Sequence, residues 1–314
     1  MSTASRSILR SVLLLVAGAI LAGCGGPPQG ADAVVNTFGG RGRGPGRFSD
    51  PRVLDVFGDE LFVIDKTARI QVFTFDGRFK RLWHMPERAA GKPTGMGFHP
   101  DGRVFVADTH YGRVIVFDRT GRELARFGEP GKELGQFLFP SDVAFDSQGR
   151  VYVSEFGNNR VTQFTADLTP IRSWGESGVE PGQFSRAAAL LVDKQDRIWV
   201  ADAANHRLCL FDTEGKLLKM VGQHGSGGGE LKYPYDLSLD PDGRHVVVVE
   251  FGNHRLQRFT LEGVIVGIWG EVGRGTGALM GPWACRAVRR SGEVRVYVAD
   301  FGNDRVVEVH FPPP

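Results

Sequence analysis

The chain is poor in cysteine, in long apolar runs and in excess charge. Its 3 Cys among 314 residues are too few for a fold held together by disulfides. Only one apolar run, near the N-terminus, is long enough to be considered as a membrane span, which excludes a polytopic membrane protein. The 38 Lys and Arg nearly balance the 36 Asp and Glu, so the composition lacks the basic excess typical of nucleic-acid-binding proteins.

Glycine and phenylalanine are abundant instead. The 43 Gly are roughly twice the usual share, and the 22 Phe dominate the aromatic residues. With 24% charged and 41% hydrophobic residues, the chain is not of the disordered type. No long helical pattern interrupts it after the N-terminal segment. These features predict an all-β protein with many tight turns.

The N-terminal residues have the plan of an export signal. Arg6 and Arg10 flank the start of a short apolar run, 11–20, and small residues lead to Cys24. This order predicts a secretory signal, with an uncleaved anchor helix as the alternative. The segment Leu21-Ala22-Gly23-Cys24 resembles the lipobox of bacterial lipoproteins. That resemblance implies cleavage before Cys24 and acylation of Cys24, and several acyl chains would anchor the protein stably to a membrane.

We therefore expect residues 1–23 to be a lipoprotein signal peptide and residues 24–32 to be the acylated Cys and a flexible tether. The expected location is the bacterial cell envelope, either the outer membrane facing the periplasm or the cell surface. Loss of Arg6 and Arg10 leaves 36 basic and 36 acidic residues. The mature charge is then near zero, which argues against a nucleic-acid partner.

A composite motif recurs six times along the rest of the chain. A short apolar run ends in an acid, and an Arg opens the next apolar run after a polar turn. Successive acids are 43 to 50 residues apart, a period typical of propeller blades. We interpret these repeated residues as structural ion pairs rather than as catalytic groups. The acids are Asp65, Asp108, Glu155, Asp202, Glu250 and Asp300, and the arginines are Arg69, Arg113, Arg160, Arg207, Arg255 and Arg305.

Each unit contains four strand signals. In the third unit they cover 140–146, 150–155, 160–164 and 169–174, separated by turn sequences. The sixth unit has only three, at 282–288, 294–300 and 305–311, whereas 33–38 is a lone strand before the first unit. We expect this N-terminal strand to complete the last blade, because closure leaves no sheet edge exposed at the seam. Residues 33–311 then form one domain, a six-bladed β-propeller of four-stranded antiparallel blades, with 312–314 as a tail.

The repeated pattern resembles that of NHL repeats. Its parts are Pro-x-x-Val/Leu-x-x-Asp, Gly-Arg-Val-Tyr-Val-Ala/Ser-Asp/Glu and Asn-x-Arg, followed by Gly-x-x-Gly-x-x-x-Gly-x-Phe. The resemblance covers residues 33–311, although 66–69 depart from it. Proteins of this family are six-bladed propellers, in agreement with the six units, but the fold carries many functions.

Histidine and cysteine do not suggest a catalytic centre. His110, His206 and His254 follow the second strand in three different blades. Because packed sheets lie about 10 Å apart, these side chains are too distant to share one metal ion. Cys209 and Cys285 belong to blades that are not adjacent, and we interpret both as core residues. We assign no catalytic residue, no metal site and no cofactor.

The strongest candidate for a binding site is the mouth of the central channel, where the innermost strands begin. Side chains there differ from blade to blade, as a ligand site requires, although the same residues could simply be a solvated rim. Acids, arginines and aromatic rings together suit a polar ligand or a peptide. The candidates are Arg52, Ser141, Asp142, Arg186, Tyr235, Asp236, Trp283 and Arg286, with Thr94 at the equivalent position of the second blade.

Two functions are compatible with these features. The first is a membrane-tethered, monomeric binding or scaffold propeller whose mouth face holds a protein, a peptide or a glycan. The second follows from the resemblance, since some relatives are lyases and neighbouring six-bladed families are lactonases that hold a metal in the channel. A channel-bound Ca or Zn would then be held by Asp142 and Asp236, and Arg52 or Arg286 would orient the substrate. RNA binding, known for animal relatives, is disfavoured by the balanced charge and the export signal.

Overall fold

The computed structural model describes residues 33–89 and 91–311, which form six four-stranded antiparallel sheets. Each sheet corresponds to one predicted repeat, so the six-bladed all-β architecture is confirmed. The predicted signal peptide, tether and tail lie outside the described residues. Blade 1 consists of Pro51–Phe57, Glu60–Asp65, Arg69–Thr74 and Phe79–His84; blade 2 of Gly95–Phe98, Val104–Asp108, Arg113–Phe117 and Glu123–Phe127; blade 3 of Pro140–Phe145, Val151–Glu155, Arg160–Phe164 and Pro170–Trp174; blade 4 of Ala187–Val192, Ile198–Asp202, Arg207–Phe211 and Leu217–Val221; blade 5 of Pro234–Leu239, His245–Glu250, Arg255–Thr260 and Ile265–Trp269; and blade 6 of Ala284–Arg290, Glu293–Asp300, Arg305–His310 and Val34–Gly39.

Three single turns of 3-10 helix lie within the described part of the chain. A further pair of two-residue strands, Glu271–Val272 and Ala278–Leu279, runs parallel within the connection from blade 5 to blade 6. None of the described helices is long and apolar enough to cross a membrane. The 3-10 turns are Thr109–Tyr111, Ala203–Asn205 and Phe301–Asn303.

The ring is closed by the N-terminal strand, as the strand count predicts. Val34–Gly39 pairs antiparallel with Arg305–His310, with Phe38 opposite Val306. The C-terminal strand of the chain therefore has a neighbour on both sides, and the fourth position of blade 6 is filled from the other end of the sequence. This arrangement removes the open edge that a three-stranded last blade would expose.

Glycine-rich connections between blades are held by buried aromatic or aliphatic side chains. In the connection from blade 2 to blade 3, Gly128 has a φ of +81°, and a Cβ there would lie 2.3 Å from the Phe137 ring. Phe137 is fully buried, and burial of such a ring is worth about 1.5–3 kcal/mol. The Gly and the Phe of the repeat thus form one packing unit. The residues equivalent to Phe137 in other connections are Phe48, Phe184, Leu231 and Leu279, all buried.

The repeated acid and arginine hold these connections from the blade side. In blade 3 the Nε of Arg160 donates to Glu155 at 2.7 Å, and its other nitrogens donate to the carbonyl oxygens of Lys132 and Gln136 at 2.6 and 2.8 Å. Asn158 donates to Glu155 at 2.6 Å. Arg207, Arg255 and Arg305 make the same set of bonds in blades 4 to 6. The repeated polar residues are therefore occupied with joining each blade to the connection that precedes it.

Candidate functional site

The six first strands line the central channel. First strands of neighbouring blades contact one another around the ring. All six begin at the same end of the channel, called the mouth below. In an antiparallel meander this end also carries the turns between second and third strands and the connections between blades. Side chains from several blades therefore meet there.

Two arginines and two aromatic residues form what we call the mouth cluster: Arg52, Arg186, Tyr235 and Trp283. The Arg52 guanidinium lies 4.9 Å from the Trp283 ring centre, and the Arg186 guanidinium lies 4.8 Å from that of Tyr235. The two rings are 4.8 Å apart. Such cation–π contacts are worth about 0.5–2 kcal/mol each, so the guanidinium groups are held in place without an ion pair.

Further rings support the cluster from the turns after the second strands. Phe251 stacks on Tyr235 with ring centres 4.8 Å apart, and Phe301 lies 5.1 Å from Trp283. Phe156 lies under Arg186, 4.9 Å from its guanidinium. Several ring faces of the cluster are thus already covered by other side chains.

The guanidinium groups of Arg52 and Arg186 are half-buried, and neither donates to an acceptor among the described residues. The buried Nε of Arg52 lacks a hydrogen-bond partner. Burial lowers the pKa of Arg52 most, and the Arg186 charge lowers it further, whereas Asp50 raises it. Two cations with unused N–H groups therefore lie close together at the mouth. An incoming oxyanion would gain charge-assisted hydrogen bonds from both.

Below the mouth cluster, an ion network joins the first strands of blades 5, 6 and 1. The Nε of Arg286 donates to Asp55 at 2.8 Å, and its Nη1 donates to Asp236 at 2.6 Å. Asp236 also accepts from the backbone N–H of Leu237 and of Cys285, at 2.8 and 2.9 Å. We call Asp55, Asp236 and Arg286 the channel network. Its acids are largely satisfied by one cation and by backbone donors.

Asp142 lies beside this network and is buried, with 4% of its surface exposed. It accepts a hydrogen bond from the N–H of Leu190 at 2.9 Å. Burial, and then the negative charge of Asp236, raise the pKa of Asp142 to about 8. Burial also raises the pKa of Asp236, against the opposing effect of Arg286. Asp142 therefore keeps its proton to a higher pH than a solvent-exposed aspartate does.

The predicted site residues thus separate into three positions. Arg52, Arg186, Tyr235 and Trp283 meet at the mouth. Asp142, Asp236 and Arg286 also approach one another, but deeper in the channel. Ser141 does not reach the channel opening: its buried hydroxyl lies 2.8 Å from that of Ser154 and donates to the carbonyl of Ala187 at 2.7 Å.

Asp55 is a member of the channel network that the sequence analysis missed. It stands four residues after Pro51, and Arg286 stands four residues after Pro282. The two residues therefore occupy the same position in the first strands of blades 1 and 6, which ring closure makes neighbours. Aligning first strands across the seam of the ring would have exposed this pair.

A metal ion fits poorly among the channel acids. A cation held between Asp142 and Asp236 would lie next to Arg286, which already neutralises Asp236. Asp142, with its raised pKa, would have to lose its proton first. The space between the mouth cluster and the network measures about 10 Å³, roughly enough for one water molecule.

A second group of possible ligand atoms lies at the opposite end of the channel, in blade 5. Asp240, Asp242 and His245 each offer one ligand atom, and these three atoms lie within 4.8 Å of one another. The guanidinium of Arg258 donates to Asp240 and lies 4.0 Å from Asp242. The Asp242 carboxylate is 2.7 Å from Nδ1 of His245. The group is therefore an ion-pair cluster with its own cation.

In five blades a residue at the entry to the first strand adopts a left-handed conformation; it directly precedes the strand in four of them and lies three residues before it in blade 6. Blades 1 and 6 have Asp50 and Gly281 there, two residue types that tolerate positive φ. Blades 3, 4 and 5 have Phe139, Arg186 and Tyr233, with φ values of 54°, 71° and 50°. A bulky residue in this region costs roughly 1–2 kcal/mol. Three large side chains are thus held at the mouth in a costly conformation.

Four further left-handed residues connect consecutive blades. Each follows the 3-10 or polar turn after a second strand. Its side chain accepts a hydrogen bond from the backbone N–H of the left-handed residue at the entry to the next first strand. We call these four bonds the blade latches: Asn159 to Arg186 at 2.7 Å, His206 to Tyr233 at 3.1 Å, His254 to Gly281 at 2.8 Å and Asp304 to Asp50 at 2.7 Å. Burial lowers the pKa of both His206 and His254. Two of the three histidines considered in the sequence analysis are therefore neutral acceptors.

Comparison with known proteins agrees with this architecture. Residues 137–164 match the family model of the NHL repeat, and residues 186–266 match a family described as a 6-bladed beta-propeller. A segment of 53 residues, 17% of the chain, is 40% identical to Protein brain tumor of Drosophila melanogaster. That match spans only 5% of the length of the fly protein.

Solved structures resemble the chain over most of its length at low sequence identity. A streptogramin B lyase superposes with a TM-score of 0.61 and 15% identity, covering 90% of each chain. A virginiamycin B lyase from Staphylococcus aureus gives 0.59 and 13%, covering 84% of this chain and 95% of the lyase. A protein of unknown function from Bacteroides thetaiotaomicron gives 0.62 and 16%, covering 90% and 74%. Such identities establish the fold alone. Together with the six four-stranded blades, these matches identify the chain as a six-bladed β-propeller that contains the NHL repeat.

Proposed function

We propose that the protein is a non-catalytic binding propeller that holds a partner at the channel mouth. One observation carries the proposal: Arg52 and Arg186 are half-buried, adjacent to aromatic rings, and without an acceptor among the described residues. Unpaired cations are expensive to keep partly out of water. A partner that supplies negative charge would offset this cost.

The chemistry of the mouth cluster suits an interface. Tyr, Trp and Arg are the residue types that most often dominate binding energy at protein interfaces. Tyr235 and Trp283 fix the two guanidinium groups before the partner arrives, so little side-chain freedom is lost on binding. The remaining N–H groups of Arg52 and Arg186 supply directional hydrogen bonds.

We further propose that the propeller acts outside the cytoplasm, tethered to a membrane by an acylated Cys24. The support is the lipobox-like segment that ends at Cys24 and the short tether that follows it. A lipid anchor confines a binding domain to the membrane surface. This raises its effective concentration toward partners on the same membrane.

Site-specific photocrosslinking in intact cells tests the binding proposal. A photoreactive phenylalanine analogue replaces Tyr233, which is exposed at the mouth, or Val264, which is exposed in a turn at the opposite end of the channel. We expect a discrete crosslinked product from position 233, its loss on Arg186→Gln, and no such product from position 264. Equal products from both positions, or none from 233, would contradict a mouth-centred function.

The enzyme hypothesis keeps one supporting observation. Asp142 and Asp236 come close enough for the charge of one to raise the pKa of the other. If a metal-dependent lyase or hydrolase operated here, these two carboxylates would hold the ion, and the metal would supply Lewis-acid activation of the substrate. Metal analysis of the dialysed residue 33–314 domain by mass spectrometry decides the point. About one equivalent of Ca or Zn, lost on Asp142→Asn, would favour the enzyme, whereas no retained metal favours the binding propeller.

A further inference from the structure

We propose that the partner segment is an extended acidic peptide whose carboxylate is bound by Arg186 and Arg52 and whose flanking apolar side chains pack on Phe139 and Tyr233. This inference rests on the proposed function and names the ligand class of the same site. The surface formed by Phe139, Arg186 and Tyr233 is called the rim of blades 3–5.

The first argument is conformational. The five left-handed positions that precede first strands are equivalent, so the backbone requires the same φ whichever residue is present. Blades 1 and 6 place Asp50 and Gly281 there, as expected when only the turn matters. The rim of blades 3–5 instead presents a ring, a guanidinium and a second ring. Strained bulky residues on consecutive blades indicate that their side chains serve the surface.

The second argument is exposure. Phe139 and Tyr233 are exposed over 42% and 37% of their surface. Each ring nevertheless contacts a histidine ring: the ring centres of His110 and Phe139 are 5.8 Å apart, and those of His206 and Tyr233 are 4.6 Å apart. Two rigid, solvent-facing rings with a cation between them form a pattern of apolar, charged and apolar contacts.

The third argument is charge. Arg186 and Arg52 lack an acceptor among the described residues, and Asp50 of blade 1, whose charge acts on Arg52, already pairs with Lys66 at 3.0 Å. Lys232, next to Tyr233, adds a further positive charge close to the rim: its charge lowers the pKa of His206. The rim is therefore cationic in a protein of balanced charge, and a carboxylate is the complementary group.

The spacing of the rim sets the spacing expected in the peptide. Packed sheets lie about 10 Å apart. A peptide extended in the polyproline II conformation advances about 3.1 Å per residue with three residues per turn, so that residues three positions apart lie on the same face. The acid and each apolar residue are then about three positions apart, in an apolar-x-x-acid-x-x-apolar pattern. One peptide of seven residues would cross blades 3, 4 and 5.

An anionic glycan is less suited to this surface. Sugar rings bind proteins by stacking on free aromatic faces, but Arg52 lies over Trp283, and Phe251 and Arg186 lie over Tyr235. The exposed rings Phe139 and Tyr233 flank the cation rather than lying under it. We therefore favour the peptide, and the glycan becomes an outcome of the test.

Fluorescence anisotropy with a labelled ten-residue peptide tests the inference. The probe has a central Glu with Leu three positions before and after it, and the control probe has Gln in place of the Glu. We expect the acidic probe to bind at least tenfold more tightly than the control. That difference should disappear with Arg186→Gln, and Phe139→Gly or Tyr233→Gly should weaken binding of the acidic probe.

Glycine variants provide a second readout that a merely structural role would not give. Tyr233→Gly should weaken binding and yet raise the melting temperature, because glycine relieves the left-handed conformation of a residue whose side chain is exposed. Ser291→Gly is the matched control: Ser291 also has a positive φ of 49° and is exposed, but it lies in a turn at the opposite end of blade 6. It should raise the melting temperature and leave peptide binding unchanged.

The outcomes separate the two proposals. The peptide inference is wrong if neither probe binds to the protein. It is also wrong if a uronic-acid oligosaccharide binds at the mouth and the acidic peptide does not. Crosslinking from position 233 in cells reports the proposed function independently of any peptide. A crosslink without peptide binding would leave the binding propeller standing and overturn only the ligand class.

Discussion

The blade latches make a quantitative prediction about stability. In His254→Ala the N–H of Gly281 loses its acceptor in a buried position. A buried donor without a partner costs about 1–3 kcal/mol. In His206→Ala the N–H of the exposed Tyr233 can donate to water instead. Only the net value of one hydrogen bond, about 0.5–1.5 kcal/mol, is then lost. His254→Ala should therefore lower the free energy of unfolding more than His206→Ala at pH 8.

The same latches should make stability depend on pH. Only the neutral imidazole accepts at Nδ1, and burial holds the folded-state pKa of His206 and His254 below the unfolded value of about 6.5. The groups facing them are His224 and Lys232 around His206, and Asp300 and Lys232 around His254. Below about pH 6.5 the unfolded chain binds protons that the folded protein does not. The free energy of unfolding should then fall with falling pH, by about 1.4 kcal/mol per unit of pKa difference.

Asparagine variants isolate this effect. Asn159 occupies the equivalent latch in blade 3 and accepts from Arg186 at 2.7 Å, so His206→Asn and His254→Asn should preserve the bond and remove the titration. Urea unfolding of both variants and the wild type between pH 5 and 8 is the assay. We expect similar stability at pH 8 and a shallower decline in the variants below pH 6.5. Asn159→Ala, which removes a latch that does not titrate, should lower stability equally at both pH values. Wild-type and Asn variants with superimposable pH profiles would refute the reasoning.

Three further predictions concern the channel, the seam and the anchor. Asp142→Asn should raise the free energy of unfolding at pH 8 by at least about 1.4 kcal/mol. The raised folded-state pKa of Asp142 means that the wild type loses stability as pH rises from about 4 to 8. Parallel urea-unfolding profiles of variant and wild type across that range would contradict this. Deleting residues 34–39 should lower the melting temperature sharply or prevent folding, because it exposes the edge of Arg305–His310; an unchanged melting temperature would count against closure. Cys24→Ser should move the protein from the membrane fraction to the soluble fraction, and its retention on membranes would overturn the lipoprotein prediction.

The repeats made most of the fold predictable. The third unit was expected to have strands at 140–146, 150–155, 160–164 and 169–174, and the structure has them at Pro140–Phe145, Val151–Glu155, Arg160–Phe164 and Pro170–Trp174. Alternation of apolar and polar residues indicates a strand locally. Because the pattern occurs six times, a strand that is ambiguous in one unit can be placed by comparison with the others. Closure also followed from counting, since three strands at one end and one at the other complete a single sheet.

The depth of the site residues could not be predicted in the same way. The first strands shift register between Pro140 and Asp142, and again between Pro234 and Asp236. At such an irregularity the regular alternation of side chains is interrupted. Ser141 consequently points between blades while Asp142 points into the channel, although a regular strand placed both near the mouth. Asp55 was missed for a related reason, because its partner Arg286 is 231 residues away and only ring closure brings them together.

Positions that depart from the repeat are therefore more informative about function than positions that follow it. The repeated acids, arginines and glycines are each explained by a bond or a packing contact that every blade needs. The left-handed position before the first strand is different, because its backbone requirement is constant while its side chain varies from Gly281 to Arg186. Blades that use Asp or Gly satisfy the turn at the lowest conformational cost. In blades 3 to 5 the residues at this position have a higher conformational cost, and they belong to consecutive blades on the same face of the propeller. Contacts of Arg186 with Phe156 and Tyr235, and of Phe139 and Tyr233 with neighbouring histidine rings, offset part of this cost. We propose that the bound partner supplies the rest.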